Sequence, residues 1–232
     1  LNGQGGDDRL SGGAGDDELY GGTGIDLASY ADAASGVTVT LRAIAPQDTL
    51  GAGIDFLAEI EQLEGSAFDD VLSGNAGTNV LIGGAGSDTA DYGGAAAGVR
   101  VSLTIAGRQN TLGDGVDQLI GFENLGGSAF DDVLTGNAGD NQLSGNAGND
   151  LLTGGLGDDL IDGGDGIDMA SYAGLAKGVT ISLAVTGVQD TGGAGFDTLV
   201  GIEGLFGSRG GDLLIGNEGA NSLFGDVGDD RL

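Results

Sequence analysis

Residues 12–20 read GGAGDDELY, residues 154–162 read GGLGDDLID and residues 163–171 read GGDGIDMAS. These are copies of one nine-residue unit, Gly-Gly-x-Gly-x-Asp-x-Leu-x, and its recurrence decides the fold. The glycines permit a tight turn with left-handed backbone angles. Such a turn exposes carbonyl oxygens, and the Asp adds a carboxylate two residues after the last glycine. The apolar eighth residue gives one inward side chain per unit. A single copy of such a stretch is most often a solvated loop. Many copies in register can instead stack on their neighbours and share a continuous apolar ladder.

Four blocks of the unit occur, at 3–29, 65–91, 127–171 and 207–232. Three segments of equal length separate them, at 30–64, 92–126 and 172–206, and they are copies of one another. Each opens on a tyrosine (Tyr30, Tyr92, Tyr172) and runs into an alternating stretch: VTVTL at 37–41, VRVSL at 99–103, VTISL at 179–183. Alternation predicts a half-buried strand. Each segment then returns to the unit, as LGAGIDFLA at 50–58, LGDGVDQLI at 112–120 and GGAGFDTLV at 192–200. A six-residue remnant follows, with Glu61 before Leu63, Glu123 before Leu125 and Glu203 before Leu205. The true insertions are therefore 30–49, 92–111 and 172–191. The chain reads as one continuous all-β solenoid over 1–232 with three inserted strand-loop elements, since long structureless loops are uncommon.

Composition narrows the function. The 232 residues include 52 Gly, 36 acidic and 7 basic residues, giving a net charge of −29. Nucleic acid, whose phosphates require Lys and Arg, is excluded as a partner, and so are anionic membrane surfaces. No apolar run is long enough to span a bilayer. There is no Cys to form disulfides and no His. The chain opens inside a repeat, with no leader-like segment, so it reads as a piece of a longer array. Hard oxygen donors at a fixed spacing suit Ca²⁺, which also supplies the missing counter-charge.

The unit resembles the RTX (haemolysin-type) calcium-binding nonapeptide repeat. That resemblance implies a parallel β-roll in which each unit stacks on the next but one. Ca²⁺ ions would sit between stacked turns, held by carbonyl oxygens and sixth-position carboxylates. The candidate carboxylates are Asp8, Asp17, Asp26, Asp55, Asp70, Asp88, Asp117, Asp132, Asp150, Asp159, Asp168, Asp197, Asp212 and Asp230. The candidate carbonyls are those of Gly12, Gly15, Gly21, Gly24, Gly83, Gly86, Gly145, Gly148, Gly154, Gly157, Gly163 and Gly166. Asn79, Asn141 and Asn221 depart from the pattern, and Phe68 and Phe130 replace the fourth-position glycine. Those turns are expected to differ. Glu61, Glu123 and Glu203 could serve as ligands, but they break the spacing and read more readily as surface or strand-end residues. The small Ala28, Ala90 and Ala170 each precede a spacer Tyr by two, so the ring is expected to fill the space they leave. The basic residues are scattered and read as solvated charges.

The resemblance implies a secreted or cell-surface bacterial protein exported by a type I system and folded outside by calcium. Its role would be a non-catalytic module or spacer. A surface-layer or adhesin segment with calcium-mediated assembly is the alternative. An accessory region of a secreted protease, lipase or polysaccharide-modifying enzyme ranks below it, because no His or Cys is present for a nucleophile–base pair.

Overall fold

Strand length follows from the repeat. Its seventh to ninth residues are extended, as in Leu151–Thr153, Leu160–Asp162 and Met169–Ser171, and the glycine turns on either side stop the strand from growing. The computed structural model describes residues 1–232, and every regular element in it is a β-strand. The chain divides into two compact units: 1–96 with 105–124, and 97–104 with 125–232.

In the first unit, one sheet stacks Arg9–Leu10, Leu27–Ser29, Gln62–Glu64, Thr78–Ile82 and Val116–Ile120 in parallel. Its register pairs Leu10 with Ala28, Ala28 with Leu63, Leu63 with Leu81 and Leu81 with Leu119. These are eighth positions throughout, so the ladder survives both insertions and the truncated repeat. A second parallel set pairs Val39 with Leu72 and Leu72 with Ala90. A third pairs Leu19 with Leu57.

The second unit repeats the design. Val101, Leu134, Leu152, Ala170, Leu205 and Leu223 form one continuous parallel ladder. Leu143, Ile161 and Leu199 form another, and Ile181 pairs with Leu214. Ladder residues such as Leu72, Leu134, Leu152 and Ile161 are fully buried. Each buried Leu or Ile removes apolar surface worth about 1.5–3 kcal/mol, which is how a chain so poor in aromatics acquires a core.

The insertions are strand-loop elements, as expected. Thr38–Thr40, Arg100–Ser102 and Thr180–Ser182 pair in parallel with the strand that opens the following block. The short strands Gln47–Asp48, Gln109–Asn110 and Gln189–Asp190 return antiparallel to the unit behind them. Asp48, Asn110 and Asp190 close the turn by accepting the N–H two residues on. The buried Thr49, Thr111 and Thr191 lock it by donating Oγ–H to the carbonyls of Gly53, Gly115 and Gly195. Arg42 is a departure from the expected solvated charges: it pairs with the buried Asp114. Arg9 likewise pairs with Glu64 at 2.5 Å.

Candidate metal centre

Stacking brings the sixth positions into columns. Asp8 N–H donates to Asp26 Oδ1 at 2.8 Å, Asp132 N–H to Asp150 Oδ1 at 2.8 Å, and Asp150 N–H to Asp168 Oδ1 at 2.7 Å. One carboxylate oxygen of each layer thus holds the backbone of the layer before it. The same bond spans the insertions, from Asp17 N–H to Asp55 Oδ1 and from Asp159 N–H to Asp197 Oδ1.

The second oxygen behaves differently. Oδ2 of Asp8, Asp26, Asp88, Asp117, Asp150, Asp159 and Asp168 is buried and has no hydrogen-bond partner. Leaving a buried anion unpaired is costly, so these oxygens call for a cation. A Cβ added at Gly145 would overlap both Asp150 Oδ2 and the Gly163 carbonyl oxygen, so carboxylate and carbonyl converge on one spot. This explains a glycine that needs no unusual backbone angle. The fourth-position glycines do need one: Gly148, Gly157 and Gly166 have φ of 131°, 113° and 151°. Nowhere do three acidic side chains converge. The donor sets are instead one or two carboxylates with carbonyls, the all-oxygen chemistry that suits Ca²⁺.

Electrostatics agree with that fit. Burial pushes the Asp88 carboxyl up to about 6, and those of Asp117, Asp150 and Asp159 up to about 7. Neighbouring carboxylates push the same way, with Asp132 and Asp168 acting on Asp150. Asp55, Asp168 and Asp197 are also raised, by burial first.

The turns fall into three classes, a distinction finer than the sequence reading. In the open class, exemplified by 145–150 and 163–168, the sixth carboxylate keeps a free oxygen. In the second class a serine closes the turn. Ser66 donates its N–H to Asp70 Oδ2 at 2.5 Å and its hydroxyl to Asp70 Oδ1 at 2.8 Å. Val37 N–H adds a third donor to Asp70 at 2.7 Å. Ser128 with Asp132 and Ser208 with Asp212 repeat this arrangement. Asp70, Asp132 and Asp212 are therefore placed as candidate ligands already engaged by protein donors. In the third class an amide closes the turn. Asn75 N–H donates to Asn79 Oδ1 at 2.8 Å, and Asn137 with Asn141 and Asn217 with Asn221 match it. The Phe68, Phe130 and Asn turns do differ, as expected, and this is how.

Two groups make contacts that the spacing does not show. Glu61, Glu123 and Glu203 do stand at strand starts, but they are half-buried and turned onto the preceding layer. Their Oε2 atoms accept from the N–H groups of Asp26, Asp88 and Asp168. The spacer tyrosines are buried, yet their hydroxyls carry chemistry: Tyr172 Oη donates to Asp197 Oδ2 at 2.9 Å. Tyr30 and Tyr92 face Asp55 and Asp117 in the same way without closing the bond.

No helix is long and apolar enough to cross a membrane. A search of curated proteins returns no match. The family model of the RTX calcium-binding nonapeptide repeat matches residues 1–28, 58–90, 119–152, 126–160, 135–170 and 205–232. Those matches cover more than half of the chain and coincide with the stacked turns. The chain belongs to the RTX calcium-binding nonapeptide repeat family, and it is a calcium-binding β-roll.

Proposed function

We propose that this chain is a calcium-folded module of a secreted bacterial protein. It leaves the cell unfolded through a type I system and folds outside, where it serves as a spacer. We propose further that residues 1–232 act as one array that binds several ions. The observation carrying this reading is the row of buried, unpartnered Oδ2 atoms beside turn carbonyls. A net charge of −29 repels itself until cations neutralise it. A ligand that binds only the folded state stabilises it by RT ln(1 + [L]/Kd) at each site, so several sites make the transition steep. The ions are proposed to occupy the open turns, with Asp8, Asp17, Asp26, Asp88, Asp117, Asp150, Asp159, Asp168 and Asp230 as carboxylate ligands. Asp55 joins them, and Asp197 shares this role with Tyr172, whose hydroxyl donates to it. Asp70, Asp132 and Asp212 act mainly as turn caps.

Far-ultraviolet circular dichroism and small-angle scattering across a calcium titration test the reading. The chelated chain is expected to be expanded and the calcium-loaded chain compact and β-rich. Mg²⁺ is not expected to substitute, because it demands small octahedral sites and dehydrates reluctantly. A chelated sample that stays compact and folded overturns the proposal.

A further inference from the structure

Each insertion is followed by one complete unit and then by a repeat that lacks three residues, at 59–64, 121–126 and 201–206. Counting residues, these remnants look like gaps in the metal column. The geometry points to the opposite: we propose that Glu61, Glu123 and Glu203 replace the missing sixth-position Asp and complete calcium sites with Asp26, Asp88 and Asp168. This rests on the calcium reading above and extends it to three positions outside the nonapeptide pattern.

Four observations carry it. First, the Glu carboxylates make the column bond. Asp26 and Asp88 N–H each donate to their Glu Oε2 at 2.9 Å, and Asp168 N–H to Glu203 Oε2 at 3.0 Å. Complete repeats make the equivalent bond to Asp Oδ1 at 2.7–3.1 Å, as in Asp150 to Asp168, Asp70 to Asp88 and Asp159 to Asp197.

Second, the carbonyl is supplied as well. In the complete stack, a Cβ at Gly145 would overlap Asp150 Oδ2 and the Gly163 carbonyl. At the remnants, a Cβ at Gly21, Gly83 or Gly163 would overlap the layer's own Asp Oδ2 and the carbonyl of Glu59, Gly121 or Gly201. Those three carbonyl donors have φ of 57°, 67° and 57°. A single left-handed residue at the start of each remnant thus puts a carbonyl where the full repeat places that of its first glycine.

Third, Asp26, Asp88 and Asp168 are 0% exposed, and their Oδ2 atoms are unpartnered. The pocket between layers therefore presents a free buried anion, a carbonyl and a second carboxylate.

Fourth, the residue type is explained. In a complete repeat only the seventh N–H bonds the sixth carbonyl below, as Met169 does to Asp150. In the remnants the Glu N–H and the next N–H both bond that carbonyl: Glu203 at 3.0 Å and Gly204 at 2.8 Å to Asp168. The shortened chain is drawn down onto the strand, away from the turn. The extra methylene of Glu restores the reach that an Asp there would lack.

The test uses the whole chain and Ca²⁺ itself, with bound ions counted by equilibrium dialysis and folding followed by circular dichroism. The Glu61→Gln/Glu123→Gln/Glu203→Gln variant should bind fewer ions than the parent and fold at a several-fold higher calcium midpoint. Glu203→Gln alone, should the triple variant fail to fold, should lose one ion. Glu203→Asp should lose it too, because the shorter carboxylate falls short. Gln keeps an oxygen that accepts the Asp168 N–H, so a merely structural glutamate predicts an unchanged ion count and midpoint. That result overturns the proposal while leaving calcium binding intact. A parent chain that binds no calcium fails the broader reading instead.

Discussion

Asp150→Asn separates charge from shape at an open turn. Asp150 lies between two layers: Oδ1 accepts from Asp132 N–H at 2.8 Å, and its own N–H reaches Asp168 Oδ1 at 2.7 Å. Its Oδ2 is buried and unpartnered. The amide keeps the volume and can still accept from Asp132, but it cannot be an anionic ligand. A site at a hundred times its Kd contributes about 2.7 kcal/mol. This carboxylate faces one layer with each oxygen, so one to two sites weaken, a loss of roughly 3–5 kcal/mol of calcium-dependent stability. Without metal the sign reverses. Asn removes a carboxyl that burial pushes up to about 7. Its Nδ2 can donate toward the Gly163 carbonyl that Oδ2 now faces, worth about 1 kcal/mol. The assay is a calcium titration followed by circular dichroism, paired with osmolyte-driven folding in chelator. Asn79→Ala is the control. It carries no charge, and its amide only closes its own turn on Asn75 and donates to the Glu61 carbonyl at 3.2 Å. The reasoning is refuted if both variants shift the calcium midpoint equally, or if Asp150→Asn is harder than the parent to fold in chelator.

Leu152→Ala opens the centre of the ladder between Leu134 and Ala170 and should lower calcium-saturated stability by about 2–5 kcal/mol, read by urea unfolding. Gly166→Ala should cost more than 1 kcal/mol in the same assay, because φ is 151° and the new Cβ would overlap the Gly148 carbonyl. The pH response should have opposite signs with and without metal. Folded Asp88, Asp117, Asp150 and Asp159 are raised from 3.8 to about 6–7, so the metal-free fold keeps protons that the unfolded chain releases. Its osmolyte-driven stability should be greatest below about pH 4 and fall as pH rises toward 7. Protons compete with calcium for the same oxygens, so the calcium midpoint should instead rise as pH falls through that window. A pH-independent midpoint contradicts carboxylate ligation.

The ladder was legible because a fixed period survives counting: Leu72, Leu134, Leu152 and Ile161 are all eighth positions, and all are fully buried. The three insertions were legible because they repeat one another. Glu61, Glu123 and Glu203 do flank strands, as the strand-end reading expects, but residue spacing does not show their bonds to the preceding layer. The sheet sets register by hydrogen bonds, and a longer side chain absorbs three missing residues. The available signal was an acid two residues before the ladder Leu in every remnant, as in Asp-x-Leu. The turn classes were also written in the sequence, through a pairing of second and sixth positions: Ser with Asp, or Asn with Asn. Asn146 shows why the pair matters. It precedes Asp150, takes φ of 71° and leaves its turn open. Arg42 was beyond sequence reasoning, because its partner Asp114 lies 72 residues away.

The order of turn classes gives the array a direction of assembly. Blocks 65–91, 127–171 and 207–232 each begin with a serine-closed turn and continue with an amide-closed one, and open turns come last. Closed turns satisfy their polar groups without metal. Open turns leave a buried carboxylate oxygen with no donor, so once that carboxyl is ionised they need a cation. A block can therefore start to order from its closed turns while calcium is scarce, and the open turns then stack onto a formed template. That lowers the cost of the first stacked layer, which otherwise dominates a nearest-neighbour array. Amide exchange at intermediate calcium resolves the sequence of events. The N–H groups of Ser66 and Asn75, held by Asp70 and Asn79, should gain protection at lower calcium than those of Asp150 and Asp168, held by Asp168 and Glu203. If every amide gains protection at one calcium concentration, the closed turns hold no independent structure and the array folds only as a whole.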